Sequence, residues 1–130
     1  MNVSEAIRQR YSVRAYQDRP VEEDKLRRVM EAARMAPSAC NRQEWRYVVV
    51  QDPEKRRRMA EIAMGQKFVG QAPVVIVACA ATDNHVMRCG QLCYPIDVAI
   101  SIDHLTLQAV EEGLGTCWIG AFKEDEAKAL

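Results

Sequence analysis

The order of apolar patterns along this chain predicts a single domain of the α/β or α+β class. Two β-prone runs, at 45–51 and 73–80, are separated by a segment of helical length. A third, at 115–120, follows a long apolar helix at 96–112, and helices with one polar face precede the first strand. At 130 residues, 48% apolar and 28% charged, the chain can bury one core and has ordinary globular composition.

Ser4 is placed to cap a short helix at 4–9. A polar turn around Asp18-Arg19-Pro20 leads into a helix at 22–35. Its acidic start, Glu22-Glu23-Asp24, suits the positive end of the helix dipole. Leu26, Val29, Met30, Ala33 and Met35 form its apolar stripe, and Pro37 ends it. Tyr47-Val48-Val49-Val50 marks the first strand. Asp52-Pro53 starts a helix running to about 64, with Pro at a favoured first-turn position. Pro73 opens the second strand, apolar throughout and so expected to be central and covered on both faces. After Pro95, the 96–112 helix is apolar nearly all round, which requires burial under other elements or against a second subunit. Gly113 stops it, a third strand follows, and a last helical pattern at 124–130 is unfinished where the chain ends.

Eighteen basic and eighteen acidic side chains give a net charge of +0. That balance argues against nucleic acid or an anionic membrane as the main partner. The run Lys55-Arg56-Arg57-Arg58 is expected to be the solvated face of its helix. The longest apolar run, at 72–81, is shorter than the ~20 residues of a membrane-spanning helix. No apolar leader follows Met1, and five cysteines without a secretory context fit reduced thiols, so a cytoplasmic location is expected.

Two polar blocks are suited to one phosphate-bearing aromatic ligand. Arg10-Tyr11-Ser12-Val13-Arg14 carries two guanidinium groups and a hydroxyl within five residues. If this stretch is extended, Arg10, Ser12 and Arg14 share a face; the alternative is a set of surface salt bridges. In Pro37-Ser38-Ala39-Cys40-Asn41-Arg42-Gln43, the Asn41 and Gln43 amides match the polar edge of a pyrimidine-like ring. The alternative there is a loop whose Ser and Asn serve local backbone bonds. Glycines in Gly113-Leu114-Gly115 and at Gly120 allow a flat ligand to approach the backbone. His85, Cys89 and Cys93, four residues apart, would share a helix face suited to metal, but no fourth ligand is evident and no metal site is assigned. His104 reads as a core residue of the apolar helix.

Together with Gln43-Glu44-Trp45-Arg46 and Gly115-Thr116-Cys117-Trp118-Ile119-Gly120, these blocks resemble the nitroreductase family of FMN-dependent oxidoreductases, in order and spacing across essentially the whole chain. The resemblance implies an α+β fold: a central, mostly antiparallel sheet flanked by helices, with a long buried helix at a homodimer interface. It implies that Arg10 and Ser12 bind the FMN phosphate and ribityl chain, with Tyr11 contributing backbone, while Arg14 lies near the pyrimidine edge of the ring. Pro37, Ser38, Ala39, Asn41 and Gln43 would close over the flavin from the other subunit, and Ile119, Gly120 and Ala121 would pass their backbone near N5. No side chain is assigned a catalytic role, because the flavin carries the chemistry. Hydride would pass from NAD(P)H through flavin N5 to a nitroaromatic, quinone or similar acceptor in a ping-pong cycle. The alternatives are a non-catalytic flavin or nucleotide binder and a small Cys/His metal-binding redox module. Residues 1–130 would form one FMN-binding domain without the family's usual C-terminal tail.

Overall fold

Asn2, rather than Ser4, starts the first helix, α1 (Val3–Gln9). The Asn2 Oδ1 accepts the Glu5 N–H at 3.0 Å while the Glu5 carboxylate accepts the Asn2 N–H at 2.9 Å. This reciprocal pair needs an acidic residue three positions after the cap. Ser4 has Ile7 there and cannot form it. This is a computed structural model describing residues 1–130, and its chain forms two units interleaved in sequence.

The first unit comprises Met1–Arg10, Glu22–Val48 and Ala78–Leu114. In it α2 (Glu23–Arg34) and α1 pack against α5 (Cys93–Glu111). The α2 helix buries Val29 and Ala33, and its Arg28 makes a paired bridge to Glu112, 2.7 Å on both arms. Helix α5 begins earlier than the sequence predicts, because Pro95 falls within the first turn, where its missing N–H costs nothing. Gly113, at φ +74°, follows its end. Helix α5 is buried, as its composition predicts, but on a face that mixes apolar and polar residues. The buried line runs through Cys93, Asp97, Ser101 and Leu105, four residues apart, with Thr106 and Ala109 beside it, whereas Ile96 is exposed.

The second unit comprises Tyr11–Val21, Val49–Val77 and Gly115–Leu130. Here α3 (Pro53–Ile62) is capped by Asp52, whose carboxylate accepts the Lys55 N–H at 2.9 Å. It stops short of residue 64 because Met64 and Gly65 are both left-handed. A short helix, α4 (Lys67–Gln71), follows; Gly70 lets it sit close on α3, where a Cβ would lie 3.3 Å from Ala60. Met59, Ile62, Ala63 and Val69 form the core, with Ile119 and Ala127 of α6 (Glu124–Ala129) packed on it. The basic run is a solvated face, as expected. Arg57 and Arg58 pair with Glu54, Glu61 and Glu126. Arg56 instead donates to the Gln51 and Ala72 carbonyls.

Strands β1 (Trp45–Val50) and β2 (Val75–Ala80) form an antiparallel pair. The Ala81 N–H donates to the Glu44 carbonyl at 2.8 Å at one end. The chain is thus α+β, but two strand expectations need correction. First, β2 is half-buried along its length and exposed at Cys79, because in a two-stranded sheet both strands are edges. Second, the 115–120 segment is not a third strand. It makes only one parallel bridge, Thr116 to Ser12. Its exposed Trp118 and core-packed Ile119 serve other contacts than a ladder. No helix is long and apolar enough to cross a membrane.

Candidate functional site

The 10–16 segment is held by one residue. Arg10 caps α1, donating its N–H to Ala6 at 2.9 Å and turning the chain to an extended backbone. Val13 then spends both backbone groups. Its N–H donates to the Thr116 carbonyl at 2.9 Å, and its carbonyl accepts the Tyr16 hydroxyl at 2.7 Å. Its side chain lies against Gly115, where a Cβ would meet Val13 Cγ2 at 2.6 Å. Ser12 and Arg14, on either side of this anchor, are exposed, as is Tyr11. Neither Arg10 nor Arg14 pairs with a carboxylate, so the surface-salt-bridge alternative does not describe them. Unpaired guanidinium groups are suited to phosphate or an electron-rich ring edge. Burial pushes the Tyr16 phenol up to about 12; nearby Cys117 adds to the shift and Arg14 opposes it.

The 37–43 loop is closed by its own polar groups. Ser38 accepts the Gln43 N–H on Oγ and the Asn41 N–H on its carbonyl, both at 3.0 Å. The Gln43 side-chain amide donates to Asn41 Oδ1 at 2.5 Å. Local bonding therefore uses half of each amide and leaves the Asn41 NH2 and the Gln43 Oε1 for a ligand. The local-bonding reading of this loop describes these contacts. Cys40, Asn41 and Gln43 adopt φ of 51°, 53° and 50°. Left-handed conformations in non-glycine residues cost on the order of 1–3 kcal/mol each and persist only where the surroundings impose them.

Those surroundings are polar, and sequence reasoning missed them. Arg42 bridges Glu44 and Asp83, each at 2.6 Å. The Thr82 hydroxyl first, and Arg42 second, hold the buried Glu44 carboxyl below its usual range. Arg42 does the same for Asp83. Asp97, only 4% exposed, takes the Ala39 N–H between its two oxygens at 3.2 Å. Cys93 donates to Glu44 at 3.7 Å, and Ser101 donates to the Ala33 carbonyl at 2.7 Å while meeting Tyr47. Burial, then Glu44 and Asp97, push the Cys93 thiol up, which leaves it unreactive. A signal was present in the sequence: Asp97 and Ser101 are four-spaced polar positions, with Cys93 one turn before, in the apolar first half of the helix.

The third block is an accessible backbone. Ile119 turns its side chain into the core, Gly120 has open space where a Cβ would stand, and the Ala121 carbonyl accepts from Gln66 at 3.4 Å. Ser12, Arg14 and residues 119–121 belong to the second unit; Arg10 and residues 37–43 belong to the first. His85, Cys89 and Cys93 do not share a helix face. Residues 86–92 form a small loop closed by a Val86–Leu92 bridge, with Gly90 left-handed, and only Cys93 is helical.

Residues 7–85 and 63–130 match the model of the Nitroreductase family. A Thermus thermophilus protein named NADH dehydrogenase is 41% identical over 95 residues, which cover 73% of this chain and 46% of that protein. A Bacillus subtilis protein named FMN reductase [NAD(P)H] is 33% identical over 127 residues, 86% of this chain and 51% of that one. The chain thus spans about half the length of these two curated relatives. The crystal structure of a nitroreductase family protein from Clostridium difficile superposes with a TM-score of 0.89 at 37% identity, covering 99% of this chain and 74% of that one.

Proposed function

The chain belongs to the Nitroreductase family, and from that premise we propose that it is an NAD(P)H-dependent FMN oxidoreductase acting as a homodimer in the cytoplasm. The observation that carries this reading is the pair of guanidinium groups, Arg10 and Arg14, flanking Ser12 without carboxylate partners. The donor set fits FMN: two cations and a hydroxyl for the phosphate and ribityl chain, free amide atoms on Asn41 and Gln43 for a ring edge, and an open backbone at Gly120.

Arg10 and Ser12 hold the phosphate end, and Tyr11 contributes mainly backbone. Arg14 sets a positive charge at the pyrimidine edge, where reduction concentrates negative charge, so it favours the reduced state. Pro37, Ser38, Ala39, Asn41 and Gln43 of the partner subunit cover the ring. Ile119, Gly120 and Ala121 bring backbone alongside it, Ile119 having its side chain in the core. FMN, when bound, supplies the hydride chemistry between NAD(P)H and an electrophilic acceptor such as a nitroaromatic or quinone. Residues 1–130 serve as one FMN-binding domain. The exposed Val3, Ile7, Leu92 and Ile96 supply apolar surface for a second copy.

Anaerobic titration of the purified chain with NADH and NADPH, followed by absorbance and light scattering, tests this reading. A dimer carrying one FMN per chain, bleached by at least one nicotinamide, is expected. Protein that takes up no FMN overturns the reading; bound flavin that neither nicotinamide bleaches makes it a non-catalytic binder.

A further inference from the structure

We propose that Asp97 is the positioning residue that holds the 37–43 loop in its ligand-binding shape, an inference that rests on the FMN reading of that loop. Asp97 lies on α5, far from the loop in sequence, and is almost fully buried. Its carboxyl group has no cation against it, and its hydrogen bonds go to one donor, the Ala39 N–H, shared between both oxygens at 3.2 Å. A buried carboxyl group served by a single donor is a poor device for stability alone, since an apolar residue of similar size avoids its desolvation. Its effect is local: it fixes the residue immediately before the left-handed pair Cys40 and Asn41.

The bonds inside the loop, Ser38 to Gln43 and Gln43 to Asn41, close it on itself without fastening it to anything. Fastening comes from Asp97 beneath Ala39, from the Arg42 ion pairs, and from Arg46 donating to the Gln43 carbonyl. Asp97 is also the middle member of one stripe on α5. Ser101, one turn on, holds the end of α2 at Ala33, and Cys93, one turn back, touches Glu44. Asp97 on Ala39 and Cys93 on Glu44 thus register the loop and the residue just after it on the same helix face. The uncommitted Asn41 and Gln43 amide atoms take their places from that register.

The test compares wild type, Asp97→Ala, Asp97→Asn and Ser101→Ala in the full chain. It reads FMN and riboflavin affinity by fluorescence quenching, the visible circular dichroism of bound flavin, and hydrogen exchange of amides 39–43 without flavin. Asp97→Ala should lose about tenfold in affinity for both flavins alike, the size expected for one hydrogen bond to a carboxyl acceptor. It should also change the flavin dichroism and speed exchange at 39–43. Asp97→Asn keeps an oxygen for the Ala39 N–H and should restore most of each. Ser101→Ala removes a neighbouring bond that does not touch the loop and should leave affinity and loop exchange near wild type. If Asp97→Ala does not fold, Asp97→Ser, too short to reach Ala39, takes its place. Unchanged affinity and exchange in the Asp97 variants, or losses no larger than those of Ser101→Ala, overturn the proposal. If wild type binds no FMN the functional reading fails, and loop exchange alone judges Asp97.

Discussion

The 37–43 loop and the 12–16 segment are both pinned, but by opposite chemistry. The loop is strained, with three left-handed non-glycine residues, and is held by acids: Glu44 and Asp83 on Arg42, and Asp97 on Ala39. The 12–16 segment is extended and held by neutral contacts alone: a backbone bond to Thr116, the Tyr16 phenol, and Val13 seated against Gly115. The difference matches what each is proposed to meet. A segment gripping phosphate keeps its own cations free by using no charge in its scaffold. A loop presenting amides to a ring must fix its backbone angles, which takes directional anchors from below.

Three substitutions break that contrast, in descending order of effect. Gly115→Ala drives a Cβ to 2.6 Å from Val13 Cγ2. Overpacking of this kind costs about 1–3 kcal/mol, read as a lower urea midpoint. Adding Val13→Ala should recover part of the loss, giving strong non-additivity in a double-mutant cycle.

Tyr16→Phe removes the bond to the Val13 carbonyl and should cost about 1 kcal/mol near neutral pH. It also has a signature in alkali. Because the folded phenol sits at about 12 against an ordinary 10.0, its contribution is complete below pH 10 and fades between about 10 and 12. Wild type should lose stability over that range more steeply than Tyr16→Phe, as read by denaturation at stepped pH.

Arg42→Gln should act at the other end of the scale and on the other region. The Glu44 and Asp83 carboxyls lie below their usual 4.5 and 3.8 in the folded chain. Their contribution is therefore present above those values and disappears as pH falls through the lower folded ones. Without Arg42 that acid limb should become shallower but not vanish, since Thr82 still holds Glu44. A variant with an acid limb as steep as wild type would remove Arg42 from the loop's support.

The two regions also differ in how far the sequence revealed them. Arg10, Ser12 and Arg14 lie within five residues, so the block could be picked out from spacing alone. Helices α2 and α3 were legible for the same reason, through an acidic first turn and an Asp-Pro start. The loop's residues were legible but its support was not, because Ala39 meets Asp97 across 58 positions and Arg42 meets Asp83 across 41. The burial of helix α5 was legible from its apolar residues, but the buried Asp97, Ser101 and Thr106 among them were not. The 115–120 segment misled because β-propensity does not supply a partner strand. At the first helix, Asn2 and Ser4 are both good capping types, and the Glu5 three positions after Asn2 is what decides between them.

The division of labour between the two regions is tested most directly by titrating FMN and riboflavin into wild type, Arg10→Ala and Asn41→Ala. Riboflavin carries the ring without the phosphate. Arg10→Ala should weaken FMN by roughly ten- to a hundredfold, the range for one charge-assisted contact, and leave riboflavin unchanged. Asn41→Ala should weaken both flavins by the same factor. If Arg10→Ala weakens riboflavin as much as FMN, or Asn41→Ala weakens FMN alone, the assignment of phosphate to one region and ring to the other is wrong.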